Sequence, residues 1–495
     1  AHSGGVDLSR FDGAMFSVVD AESREVVFDG VIEHRADDTD LSGETVYQLD
    51  FSALTTPGEY YIRIPGAGRS WDFTVGQDAV GEAFYTYARG LYHNRCGALD
   101  SEHTPWARGD IHQTYQGGFP PDRQDYQDHS AEGWGFRDSS GAFVEYGSFG
   151  AVSATATDEL LPDVVGGWHD AADYDRRTYH FFIVEDLLQT YFMFPDNFSD
   201  GQLNIPESGN GIPDIIDEAR WGIDVWMAAQ KTSGGVGTWI EAVSHPAGEF
   251  ADDPGLDTQR YYLSLATRNS SLHYARHAAM LGRALIAVGA TAEAEPYIES
   301  ARRAYEFGTD ESVRISHSWE TSEGEVHTWT EPPEPDIERR MWALTELWLA
   351  TGDPDFESEL VITEVEDAFF YAVNQVFWMD SIFKAVNVAM NPESFPDGWG
   401  ETALSEITEL AGAFTVAYDS HAYRRLWYAA DHGYFFSMAW GLGLYLPARS
   451  LLASWRLTGD ESYRDALLLG LDFHHGANPM GRVHTTGLGK HFAAV

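Results

Sequence analysis

The sequence predicts a mainly α protein, a toroid of helical hairpins preceded by a small β-sandwich, and three observations predict it. Apolar and polar residues alternate up to about residue 77, the period turns helical from about residue 80, and a Thr-Gly-Asp turn recurs between helices. A doubly wound parallel sheet would instead alternate strand and helix throughout.

In the first 77 residues, Tyr47, Leu49 and Phe51 alternate with polar neighbours, as do Trp71, Phe73 and Val75. Thr56-Pro57-Gly58 precedes the run Tyr60-Tyr61-Ile62-Arg63-Ile64 and Pro65-Gly66-Ala67-Gly68 follows it, so turn chemistry brackets a strand. Four or five short strands are expected, fewer than the about seven of a complete immunoglobulin-like sandwich, with the opening strands missing. Further on, Ile215, Ile216, Ala219, Ile223, Trp226 and Met227 share one helix face, and so do Ile337, Met341, Leu344 and Trp348. Thr351-Gly352-Asp353 and Thr458-Gly459-Asp460 each end one helix and begin the next. Glycine takes the left-handed position after the helix, and aspartate caps the one that follows. Ala287-Val288-Gly289-Ala290-Thr291 is a looser third copy. Hairpins repeated over about 400 residues predict inner and outer rings of helices. Segments 100–165, 231–270 and 315–336 read as long loops rich in Gly, Asp and aromatics, and loops this long in a compact domain usually carry function. Their Trp and Tyr rings suit stacking on the apolar faces of sugars.

Charge excludes several classes of function. The 495 residues hold 31 Lys and Arg against 78 Asp and Glu, a net charge of −47, and only Lys231, Lys384 and Lys490 are lysines. Such a surface repels phosphate, so no nucleic-acid partner is expected. The acids are dispersed among aromatic and aliphatic residues, which excludes an acidic disordered tail. No run of about 18 apolar residues exists, so no membrane span is expected. Self-repulsion of this size is relieved by salt, whose Debye length falls to about 3 Å at 1 M, and a halophilic source is expected. Ala1-His2-Ser3-Gly4-Gly5 lacks a basic region and an apolar stretch, and reads as a mature or trimmed end of a secreted chain. Cys96 is the single cysteine, so no intrachain disulfide forms. The chain is expected to be a monomer.

The candidate chemistry sits in Gly166-Gly167-Trp168-His169-Asp170-Ala171-Ala172-Asp173-Tyr174. Inverting glycoside hydrolysis needs a carboxylate that takes a proton from water and a carboxylic acid about 6.5–9.5 Å away that protonates the leaving oxygen. Asp170 and Asp173, three apart on a glycine-rich loop, have the spacing to orient and deprotonate one water. Trp168, His169 and Tyr174 are the adjoining candidates for sugar contact. On spacing alone, a surface turn carrying two aspartates is the better account of the pattern.

The stretch Gly166–Tyr174 resembles the Gly-Gly-Trp-(Tyr/His)-Asp-Ala-Gly-Asp motif of glycoside hydrolase family 9, best known for cellulases, with Ala172 in place of the usual glycine. Asn210-Gly211-Ile212-Pro213-Asp214-Ile215-Ile216-Asp217-Glu218 resembles that family's helix entry. Asn478-Pro479-Met480-Gly481 and Thr486-Gly487-Leu488-Gly489 resemble its C-terminal cleft segment. The resemblance implies an (α/α)6 barrel over 78–495 behind an immunoglobulin-like domain over 1–77, with Asp173 as general base and Asp170 assisting. It places the acid, a Glu, beyond Val495, so the barrel is expected to lack its C-terminal tail. It implies a β-1,4-glucan polysaccharide or oligosaccharide as substrate. An exo-β-glucosaminidase acting on chitosan oligomers and a non-catalytic sugar-binding barrel are the alternatives.

Trp329 and Trp440 are candidate cleft aromatics, and His484, beside the cleft segment, is a candidate sugar contact. His474-His475 reads as a core or loop pair, since adjacent helical residues point about 100° apart. Arg95-Cys96-Gly97 resembles a segment through which some relatives bind structural zinc with two Cys and two His. Ile111 stands where the second Cys would be, leaving Cys96 and His112 without partners, so a buried inert thiol and no metal are expected. The resemblance also implies a structural calcium ion, and no cofactor for catalysis.

Overall fold

The computed structural model describes residues 9–39, 42–76, 79–120, 134–137, 143–146, 150–170, 174–246, 249–320, 324–332, 336–360, 381–426, 442–489 and 492. Contacts divide the chain into two units, residues 88–400 on one hand, and residues 1–87 with 401–495 on the other.

In the second of these, six strands form where four or five were expected: β1 (Met15–Asp20), β2 (Val26–Asp37), β3 (Thr45–Leu49), β4 (Gly58–Ile64), β5 (Gly68–Arg69) and β6 (Phe73–Val75). Their order is β3-β2-β1-β4-β5, with β6 also on β4. The twelve-residue β2 pairs with β1 along its first half and with β3 along its second, so one strand serves both faces of the sandwich. Phe16, Val18, Ile32 and Tyr60 are the buried core, and Gly30 makes room for it: a Cβ there would lie 2.5 Å from the Phe16 ring. The same unit holds the helical hairpin Leu442–Thr458 and Glu461–Leu471, turned at Gly459 (φ 73°) and capped by Asp460, which accepts from the Ser462 amide at 2.9 Å. Leu451, Ala466 and Leu467 pack there with Ala411, Phe414 and Leu426. The sandwich is tied to this helical part by polar bonds, from Arg35 Nη2 to the Asp419 carbonyl at 3.0 Å and from the Tyr423 hydroxyl to Glu44 at 2.5 Å.

Residues 88–400 are built around α1 (Phe181–Met193), α2 (Asp214–Ala229), α3 (Arg268–Ala287), α4 (Thr291–Thr309) and α5 (Ile337–Thr351). The apolar face read from Ile215 to Met227 is the buried face of α2, and that of Ile337 to Trp348 falls on α5. α3 is buried on nearly all sides and packs against the other four helices, which makes it the centre of this unit. Its start is fixed by a reciprocal cap between Thr267 and Ser270. Gly352 closes α5 in the left-handed conformation (φ 63°), and Asp353 then caps the next turn.

The segment 231–270, expected as a long loop, instead supplies strands to a small sheet. Its order is Arg176–Arg177, Trp239–Ala242, Tyr261–Leu263, Thr114–Gln116. Arg176 pairs with Ile240 and Arg177 with Trp239. This sheet holds the segment that follows the aspartate motif.

Candidate active site

The loop Gly166–Asp170 is pinned like a strand edge. Gly167 accepts from the Cys96 amide at 2.8 Å, the His169 amide donates to Asn94 at 3.0 Å, and the Asn94 side chain returns a bond to the His169 carbonyl at 2.8 Å. Gly166 (φ 97°) and Gly167 (φ 78°) are left-handed, and a Cβ on Gly167 would lie 3.1 Å from the Arg176 side chain. Both positions therefore require glycine. The Asp170 amide donates to the Asp175 carbonyl at 2.9 Å. Asp173 lies in that stretch, outside the described residues, as does Trp440.

Asp170 is held by Arg177 and His180. Arg177 Nη1 lies 2.5 Å from Oδ2, and His180 Nε2 lies 3.7 Å from Oδ1. Burial pushes the Asp170 carboxyl up, but the His180 bond and the Arg177 charge outweigh it and hold it below the ordinary carboxylate range. Arg177 is fixed in turn by a bond from Nε to the buried Asp175 and by its stack on Trp239, 4.3 Å from the ring centre. Sequence reasoning missed Arg177 and His180. The signal was present in Asp175-Arg176-Arg177, directly after the motif.

Three expected sugar contacts are corrected. Trp168, His169 and Tyr174 are 2 %, 4 % and 4 % exposed, and none offers a ring to a ligand. The Trp168 indole donates to Glu218 at 2.9 Å, and Glu218 also receives Arg95 Nη2 at 2.9 Å while Arg95 Nη1 reaches Glu207 at 3.0 Å. The aspartate motif and the helix-entry motif are thus joined by one buried ion network. His169 turns to His112, and Tyr174 stacks on the His112 ring at 5.0 Å and 21°. Trp329, on the hairpin Ser316–Glu320/Val326–Thr330, packs beside the cluster of Phe119, Val152, Tyr262 and Trp319. His484 is exposed, with Nδ1 3.3 Å from His474 Nδ1. Burial, helped by the charge of His484, pushes His474 down to about 4, so it is neutral at pH 7. His475 meets the Tyr87 hydroxyl at 3.0 Å.

The other motif residues build loops. Asp214 is fully buried and accepts from the amides of Gly201 (2.8 Å) and Leu203 (2.7 Å) and from the Ser208 hydroxyl (2.8 Å). Asn478 donates to the carbonyls of Phe473 (2.6 Å) and Arg482 (2.7 Å).

Cys96 and His112 do have partners, contrary to expectation. Cys96 Sγ, His112 Nδ1 and His169 Nε2 converge, with Sγ to Nδ1 at 3.8 Å and Nδ1 to Nε2 at 3.2 Å. Three N/S donors are one short of a tetrahedral zinc site. The fourth direction is taken by Arg176, whose Nη1 contacts Sγ and also bonds the His112 carbonyl at 3.0 Å. A dication beside this fixed guanidinium would be strongly repelled, so the cluster as it stands does not fit a metal.

Comparison with known proteins places this architecture in the class of α/α-barrel glycoside hydrolases with an immunoglobulin-like N-terminal domain. Residues 81–494 match the model of glycosyl hydrolase family 9, and residues 9–69 match the cellulase N-terminal ig-like domain. The chain belongs to glycosyl hydrolase family 9. It is 25 % identical over 501 residues to Endoglucanase C of Cellulomonas fimi, covering 94 % of this chain and 41 % of that protein. It is 24 % identical over 514 residues to a cellodextrinase of Butyrivibrio fibrisolvens, covering 97 % and 81 %. A crystal structure of a metagenome-derived glycoside hydrolase family 9 endoglucanase superimposes with a TM-score of 0.69 at 25 % identity, covering 99 % of this chain and 82 % of that one. The chain thus spans about two-fifths of the length of the first of these relatives.

Proposed function

We propose that the protein is an inverting hydrolase of β-1,4-glucans, in which Asp173 takes the proton from the attacking water and Asp170 orients that water. One observation carries this reading: Asp170, three residues before Asp173 in the sequence, is kept ionised and held in place by Arg177 and His180. A carboxylate so held is a poor proton acceptor and a good hydrogen-bond anchor for water, which leaves the base role to Asp173. The endoglucanase and cellodextrinase relatives support a cellulosic polymer or oligomer as substrate. Chitosan oligomers are a second substrate class, whose cationic glucosamine the charge of −47 would attract at low salt alone.

Asp173→Ala tests the assignment. Turnover of a soluble cellulose derivative should fall by about 10⁴-fold or more while cellotetraose binding persists. Retained turnover refutes the base role, and a wild-type protein that binds but never cleaves is a sugar-binding barrel. Glucosamine release from chitosan oligomers at a higher kcat/KM than reducing-sugar release from cellulose would transfer the proposal to the second substrate.

A polymeric substrate calls for action outside the cell, so we read the protein as secreted and monomeric, with domains at 1–77 and 78–495. No described helix is long and apolar enough to cross a membrane. We read the acidic surface as salt adaptation, with stability rising toward molar NaCl. A structural calcium ion rests on the resemblance. Asp100, Glu102 and His103, the acidic grouping among the described residues, bring too few ligands for the about 6–8 oxygens that calcium takes.

A further inference from the structure

We propose that Arg176 is the built-in cation of the Cys96–His112–His169 cluster, closing a latent site for a soft divalent cation such as zinc. All four side chains are buried, Cys96 and Arg176 to 1 % exposure. A buried guanidinium needs hydrogen-bond partners, and among the described residues Arg176 bonds the Cys96 sulfur, the His112 carbonyl and the Thr114 hydroxyl (3.1 Å). The guanidinium also lies 5.2 Å from the centre of the Tyr261 ring, so carbonyl, hydroxyl and ring together fix its position.

The rest of the cluster has the form of a ligand set. His112 Nε2 faces Asp257 at 3.4 Å, and Asp257 is held by the Tyr261 hydroxyl at 2.8 Å. A carboxylate behind an imidazole fixes its tautomer and turns the other nitrogen, here Nδ1, toward a metal. The three donors already lie within 4.8 Å of one another. What separates this arrangement from a metal site is the guanidinium in the fourth direction. The guanidinium fills that direction with a fixed positive charge and ties Cys96 to the strand that carries Arg177.

The test is metal stoichiometry on the full-length protein, kept reduced, incubated with Zn2+ and gel-filtered. Wild type should retain less than about 0.1 zinc per chain, and a chelator should leave its Tm unchanged. Arg176→Met, which keeps the volume and removes the charge, should retain about one zinc per chain. With Co2+ it should show a thiolate-to-metal charge-transfer band that vanishes when Cys96→Ser is added. Wild type holding stoichiometric zinc, with a Tm that drops on chelation, overturns the proposal. So does a folded Arg176→Met protein that takes up no metal. If that variant fails to fold, the wild-type measurement decides alone. Either result leaves the hydrolase reading untouched.

Discussion

Arg176 and Arg177 are neighbours on one short strand and face opposite ways. Arg176 points into a buried cluster of sulfur and imidazole, whereas Arg177 points to Asp170 and Asp175 on the side proposed for chemistry. The same division runs through the preceding loop. Trp168, His169 and Tyr174 are directed inward, and Asp170 is one-fifth exposed in its side chain. On the strand, successive side chains alternate between faces, which separates Arg176 from Arg177. The run thus divides into a structural face and the face proposed for chemistry on the same backbone.

This division makes the two faces separable by mutation. Arg95→Met strikes the structural face and leaves Glu218 buried without its cation, at a cost of about 3–5 kcal/mol. Chemical denaturation should show that loss, while kcat at low temperature stays within a few-fold of wild type. A kcat that collapsed while the protein remained folded would merge the two faces. Arg177→Gln strikes the chemical face. We expect kcat to fall by about a hundredfold, roughly 2.7 kcal/mol, together with a loss of stability, because the buried Asp175 also loses its cation. The pH–rate profile separates a positioning role from a merely structural one. Asp170 is now held below its ordinary value, and without Arg177 the raising effect of burial is less opposed, so the acid limb of the profile should move to higher pH. An unmoved limb would show that Arg177 does not act through Asp170.

Gly222→Ala should be milder. Its Cβ would lie 2.2 Å from the Trp168 ring, so the indole must shift, with an expected cost of about 1–3 kcal/mol. Asp217→Asn should have the smallest effect and the opposite sign. Burial pushes the Asp217 carboxyl up to about 7, against the opposing charge of Arg220. The folded state thus binds the proton more tightly than the unfolded chain, and this group's contribution is present in full below about pH 4 and lost as pH rises through 7. The amide removes that loss, so the variant should gain about 1 kcal/mol at pH 8 and nothing at pH 4. Equal midpoints at pH 8 would refute it.

Local features were the legible ones. The turns at Gly352-Asp353 and Gly459-Asp460 are set by nearest neighbours, and both appear as read, with left-handed glycine followed by a capping aspartate. The helix faces at 215–227 and 337–348 were equally plain. The inward roles of Trp168 and His169 were not, because their partners are distant: Glu218 lies 50 residues after Trp168, and His112 lies 57 residues before His169. Aromatic residues beside an aspartate pair look the same in sequence whether they meet a sugar or a buried carboxylate. Arg177 was overlooked for a related reason, since only the pairing of Asp170 with Asp175 returns the chain and brings its guanidinium to the first aspartate.

The measurement closest to the central claim is the anomeric configuration of the first product, followed by proton NMR as the full-length protein cleaves cellopentaose. A water oriented by Asp170 and deprotonated by Asp173 attacks the face opposite the leaving group, so the α anomer should appear first and mutarotate later. If the β anomer appears first, the reaction retains configuration through a covalent intermediate, and the roles given to both aspartates are wrong.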